Sequence, residues 1–164
     1  MDRKEHYEVA FESLLRDRGI PYVAVDEAKR ALFADAKLKS FDFVAYSKSG
    51  TNRLIDVKGR KCHTNGRSST LQNWATQDDI DDMIQWEQVF GSEFRGLLVF
   101  LYWIDPPLAP EYGMFEHKDR WYWALAVDVN EYRAHMRQRS PKWKTVCLKT
   151  ADFRQLARPI DDWL

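Results

Sequence analysis

The chain has 164 residues, 45% of them hydrophobic and 30% charged, with seven Trp, seven Tyr and nine Phe. That length suits one domain with a real core, and the composition excludes a disordered, fibrous or disulfide-built chain. Lys+Arg and Asp+Glu balance at 25 each, so no overall basicity announces a nucleic-acid partner, although a local basic patch offset by acids elsewhere stays compatible with one.

Cys62 and Cys147 are too few for a disulfide framework and fit free thiols in a reducing cytosol. A cytoplasmic location is therefore expected. Met1 to His6 has no apolar core behind its charges, so no signal peptide is expected. The best apolar run, Gly96 to Ile104, is about half a membrane span, and no membrane partner is expected.

Residues 5–18 read as a helix, because Tyr7, Ala10, Phe11, Leu14 and Leu15 recur at helical spacing. Gly19 closes it and Pro21 prevents extension. Residues 22–25 read as a short strand and 26–37 as a weaker helix. Residues 40–46 and 53–58 read as two strands of a hairpin, joined by turn residues at 47–52. Residues 59–71 are polar and basic and read as a mobile loop.

Thr76 with Asp79 three residues on resembles a capping signal. The helix it opens carries Ile80, Met83, Ile84, Trp86, Val89 and Phe90, and Gly91 ends it. Arg95 to Trp103 reads as a strand buried on both faces. Residues 105–119 read as a loop or excursion, 121–127 as a strand, 129–139 as a helix and 146–148 as a short strand. Thr150 is placed to cap a last helix through Leu156. This order argues an α/β or α+β sandwich with a mixed sheet.

The chemistry concentrates in the hairpin. Asp56 and Lys58 sit two apart on an apolar strand and so share a face, where an ion pair is costly unless it has a partner or a task. Asp42 lies fourteen positions earlier, on the neighbouring strand. Phosphodiester hydrolysis needs a divalent cation, a water activated on it and charge neutralisation at the phosphate. Mg²⁺ takes hard oxygen ligands and keeps several waters, so Asp42, Asp56 and the backbone carbonyl of Val57 suffice to hold one. Lys58 is placed to position or help deprotonate the water, or to hold the phosphate. Arg60, Lys61, His63 and Arg67 form a basic run beside it that suits a nucleic-acid backbone, and Trp74 is a candidate for base stacking.

A strand acid, a hairpin and an acid-x-Lys on the next strand resemble the PD-(D/E)xK nuclease superfamily, with its Holliday-junction-resolvase-like and restriction-endonuclease-like members. Asp56-Val57-Lys58 stands at the acid-x-Lys element and Asp42 at the first acid; Phe41 replaces the proline that often precedes it. The superfamily also places a glutamate on the helix before the hairpin. Glu8, eleven residues before Gly19 as in archaeal resolvase-like members, takes that place, with Glu12 as the alternate. Polar residues on the following helix usually face the site, which points to Gln72 or Gln77, with Asp78 a further candidate.

The resemblance spans roughly residues 5–103, and residues 104–164 read as a C-terminal elaboration of a single nuclease-like domain. It implies an α/β (α+β), restriction-endonuclease-like fold with a mixed central sheet flanked by helices. It further implies a Mg²⁺- or Mn²⁺-dependent endonuclease acting on DNA, with the metal on Asp42, Asp56, Glu8 and the Val57 carbonyl. Many members are homodimers. The competing reading is a catalytically inactive module of the same fold, for nucleic-acid binding or assembly.

Each residue also has a plainer role. Asp56 and Lys58 alone make an ordinary same-face ion pair. Glu8 and Glu12 suit i,i+4 pairing with nearby cations, and the acids at 78, 79, 81 and 82 complement a helix dipole. Cys62-His63 lacks a second pair at zinc spacing. No Gly-x-Ser-x-Gly elbow and no Gly-rich phosphate loop is present.

Overall fold

The computed structural model describes residues 5–25, 38–48, 50–64 and 71–164; the helix expected over 26–37 and Arg67 lie outside the described residues. Two long strands form its spine. They are β3 (Asn52–His63) and β5 (Phe94–Asp105), parallel from the Asn52–Phe94 pair to the His63–Asp105 pair. Parallel strands need a crossover, and α2 (Gln77–Phe90) supplies it. Thr76 caps α2: its side chain accepts from the Asp79 N–H while the Asp79 carboxylate accepts from the Thr76 N–H, and Gly91 ends the helix with φ 97°.

The remaining strands add on antiparallel. β2 (Phe43–Ala45) pairs with β3 and β1 (Tyr22–Ala24) with β2; on the other side β7 (Arg120–Asp128) pairs with β5. The free edge of β7 is shared by β6 (Met114–His117) and β10 (Arg158–Pro159), which completes a seven-stranded mixed sheet. A second sheet of three short strands holds β4 (Ala75–Thr76), β9 (Thr145–Cys147) and β8 (Arg137–Ser140).

Strand alternation splits the core in two. On one face Leu54, Leu98, Phe100 and Val127 pack with Ile80 and Met83 of α2, Tyr132 of α3 (Val129–His135) and Phe153 of α4 (Thr150–Leu156). On the other, Ile55, Val57, Leu97, Val99 and Leu101 pack under Ala10, Phe11, Leu14 and Leu15 of α1 (Glu5–Asp17). β5 is fully buried from Gly96 to Tyr102, as expected of a strand covered by helices on both faces. The fold is thus the α+β mixed sheet flanked by helices that the sequence points to. Among the described residues, no helix is long and apolar enough to cross a membrane.

Four local expectations are corrected. Residues 59–63 are not loop: β5 runs on to Asp105 and draws β3 along it, with Cys62 buried. The excursion after β5 contains β6, folded back on β7. The helix expected over 129–139 ends at His135, where Met136 turns extended and β8 begins. Thr150 does not cap α4; Lys149 occupies that position and makes no side-chain cap.

Candidate functional site

β2 is much shorter than β3, and the site lies where it stops. Asp42 immediately precedes β2, with its N–H donating to Ile55 O at 2.8 Å. One residue-pair further along, the ladder is continued by a side chain: Asp42 Oδ2 accepts the Val57 N–H at 2.7 Å. Beyond Val57, no described strand pairs this edge of β3. A cleft of about 620 Å³ opens there, between α1, the start of α2 and the exposed edge.

Asp42, Asp56 and Glu8 converge at this edge. The Asp42 carboxyl is within hydrogen-bonding reach of Asp56 and feels the charge of Glu8. Burial first, then repulsion from Asp56 and Glu8, pushes it up to about 8, against the pull of the Val57 N–H. Glu8 and Asp56 line the cleft itself. Glu8 is held there by a close approach of α1 to β3: at Gly59 the Tyr7 ring occupies the space a Cβ would take.

Lys58 lies on the same face as Asp56, with Nζ 2.9 Å from Asp56 Oδ2 and 3.0 Å from Asp79 Oδ2. Burial works to lower this ammonium, but the two carboxylates outweigh it and the net shift is upward. Asp79 is only 7% exposed. Burial would raise it, yet Lys58, the Thr76 N–H and Lys39 (Nζ to Oδ1 3.0 Å) hold it at about 2.

The basic residues after Lys58 line the same cleft. Arg60 donates to Gly59 O and Trp74 O, each at 2.9 Å, and its guanidinium lies 4.1 Å from the Trp74 ring centroid. Lys61 pairs with Asp105 at 3.0 Å and sits 4.3 Å from the Trp103 centroid. His63 is exposed at the rim. Trp74 and Trp103 form walls, with Arg139 5.0 Å from the first ring and Arg120 4.3 Å from the second. His6 at the cleft's end is lowered by burial and then by Arg120.

Four expected residues are not brought here. Glu12 accepts from Arg16 at 3.2 Å and Tyr22 at 2.7 Å, away from the cleft. Gln77 donates to Asp81 at 3.0 Å on the exposed side of α2, because its position on the first turn faces outward. Gln72 is exposed, and its backbone carbonyl serves Tyr102. Asp78 is exposed as well. The residue of α2 that does face the site is Asp79. Its capping spacing is readable in the sequence; its second task as a partner of Lys58 is not, because that depends on where α2 begins relative to β3.

The donor set fits a divalent cation in its chemistry. Asp42, Asp56 and Glu8 offer hard oxygens, and Asp42 holds a proton only because it is buried among other acids. Val57 directs its N–H to Asp42, and a strand residue directs its C=O to the same side. Among the described residues, no three His, Cys, Asp or Glu side chains are placed so that together they could hold a metal ion.

No family model and no curated protein matches the sequence. The fold does match solved structures. One is Hjc, a Holliday junction resolvase from the archaeal hyperthermophile Archaeoglobus fulgidus, with a TM-score of 0.56 and 15% identity over 99% of this chain and 95% of that one.

Proposed function

We propose that this chain is a divalent-metal-dependent nuclease with a PD-(D/E)xK-type site that hydrolyses phosphodiester bonds of DNA. The observation that carries the proposal is the meeting of Asp42, Asp56 and Lys58 at one unpaired strand edge, with Glu8 facing them from α1. The likeness to a resolvase fold supports DNA as the substrate class.

Asp42, Asp56, Glu8 and the Val57 carbonyl would hold Mg²⁺ or Mn²⁺. Such an ion supplies a more acidic water and neutralises charge developing on the phosphate. Lys58 acts as a cation rather than a base, because Asp56 and Asp79 keep its ammonium protonated. A fixed ammonium is a donor for the phosphate oxygens and stabilises their added charge. Asp79 holds Lys58 in that orientation. Arg60, Lys61 and His63 offer contacts to the strand's backbone along β3.

The test is Mg²⁺- or Mn²⁺-dependent cleavage of plasmid and branched DNA by wild type and Asp56→Ala. Equal background rates from both would end the enzymatic reading. The inactive-module reading is favoured by one observation: the Lys58 ammonium is already committed to two carboxylates. Salt-sensitive DNA binding that needs no metal and never leads to cleavage would establish it instead.

A further inference from the structure

A second, smaller pocket of about 160 Å³ adjoins the cleft, with His6 lining both. Its other walls are Val9 of α1 and His117, Lys118, Arg120 and Tyr122 of the β6–β7 hairpin. Among the described residues no carboxylate lines it, although the chain as a whole is neutral. It is smaller than pockets that take drug-sized ligands, which begin at about 300 Å³, so its size suits a compact anion.

The hairpin is built to present these cations. β6 and β7 are joined by two residues, Lys118 (φ 47°) and Asp119 (φ 61°), with His117 paired to Arg120. Positive φ at both central positions is the tight turn that Asn-Gly satisfies without strain. Here a lysine takes the first place, at a cost of roughly 1–2 kcal/mol for a left-handed non-Gly residue. Arg120 also donates to the Tyr122 hydroxyl, whose oxygen stands 3.1 Å from His6 Nδ1. His117 Nε2 is buried with no hydrogen-bond partner among the described residues.

Arg120 connects the two pockets a second time, because it and Lys61 both lie 4.3 Å from the Trp103 centroid. A cationic path therefore leads from Lys61 in the cleft, over Trp103, to Arg120 and Lys118. We propose that the pocket formed by His6, His117, Lys118, Arg120 and Tyr122 binds a backbone phosphate of the nucleic-acid strand whose scissile phosphate lies in the cleft. This rests on the nuclease-fold reading above and adds a direction for the strand, from the edge of β3 toward the β6–β7 turn.

The test compares wild type with Lys118→Asn, which suits the left-handed turn, and with Arg120→Gln. Arg154→Gln on the far helix α4 is the control. A single-stranded oligonucleotide is titrated at several salt concentrations in EDTA, so that binding is read apart from cleavage. Each pocket variant should weaken binding several-fold and lower the slope of log affinity against log salt by about 0.7, with the control unchanged. Inorganic phosphate should shift the His117 ring resonances of wild type and not those of Lys118→Asn. Both pocket variants must keep the wild-type melting temperature within a few degrees; if Arg120→Gln does not, Lys118→Asn, whose side chain is exposed, decides. Wild-type slope and affinity in Lys118→Asn would overturn the subsite. Altered slopes with no metal-dependent cleavage by wild type would keep the subsite and reject catalysis.

Discussion

Replacing Asp42 by Asn separates the acid's charge from its place in the fold. Asn keeps an oxygen for the Val57 N–H, now accepted at 2.7 Å, and its amide offers Asp56 the proton that a protonated Asp42 offers. In the folded, metal-free protein this carboxyl ionises only at about pH 8, against 3.8 for the ordinary group, through burial and then repulsion from Asp56. Between those limits the unfolded chain holds fewer protons than the folded one, so stability falls as pH rises, by up to about 1.4 kcal/mol per pH unit. By pH 8 the charge costs on the order of a few kcal/mol, and Asn removes that cost. A cation held by Asp42 and Asp56 relieves it differently, by taking the proton's place. With free Mg²⁺ at ten times its dissociation constant, wild type should gain about 1.4 kcal/mol, or roughly 3–6 °C in a chain of this size. Thermal melts in EDTA and in Mg²⁺, near pH 5 and near pH 8, measure both effects. The Asp42→Asn protein should be the more stable in EDTA near pH 8, by a margin that narrows near pH 5, and should not respond to Mg²⁺. If Asp42→Asn melts below wild type in EDTA near pH 8, or if Mg²⁺ raises both equally, the electrostatic reasoning is wrong.

Three other outcomes are expected. Lys58→Met leaves Asp56 and Asp79 facing each other without their shared ammonium, which should cost about 3 kcal/mol in urea melts near pH 8 and abolish cleavage; an unchanged midpoint would mean that water screens the pairs. Asp79, held at about 2 by Lys58 and its caps despite burial, contributes stability above the ordinary 3.8 that is lost as pH falls toward 2. That contribution is about 2 kcal/mol, so the Asp79→Asn melting temperature should fall less steeply with acid than wild type's, and parallel curves would exclude it. Gly59→Ala forces the Tyr7 ring, and α1 with it, off β3. It should cost about 1–3 kcal/mol and more than tenfold in cleavage rate through displaced Glu8; wild-type stability and activity would show that α1 is not seated at Gly59.

The parts of the fold that were legible in the sequence are those set by local periodicity or a local signal. The stripe Tyr7, Ala10, Phe11, Leu14 and Leu15 defines α1, Thr76 and Asp79 define the start of α2, and the apolar run before Trp103 defines β5. What escaped depends on partners distant in the chain. Gly59 reads as a break, yet twelve-residue β5 holds β3 straight through it, and the glycine serves the approach of Tyr7. Arg137 to Ser140 continues a helical pattern but finds β9 to pair with. Glu8 and Glu12 are one turn apart on one helix and are the same residue type; only the positions of Tyr22 and Arg16 draw Glu12 away. Asp79 shows the same limit, since no local rule says that a capping carboxylate will meet a lysine from another strand.

The charges of the cleft argue for what it would hold. Glu8, Asp42, Asp56 and Asp79 are four acids around two ammonium groups, Lys58 and Lys39, and Asp79 takes contacts from both. Arg60 keeps its positive charge in the cleft, since it is directed to neutral carbonyls and Trp74, whereas Lys61 is offset by Asp105. The crowding is local: Asp42 and Asp56 have one neighbouring ammonium, Lys58, which Asp79 also holds. The protein alone settles this by leaving a proton on Asp42. A divalent ion at Asp42 and Asp56 would release that proton and leave Lys58 with Asp79. Binding would thus be tied to loss of one proton below about pH 8, so affinity should rise about tenfold per pH unit toward that limit. A monovalent cation would balance no more than the proton already does, and it should not substitute for Mg²⁺ in the melts.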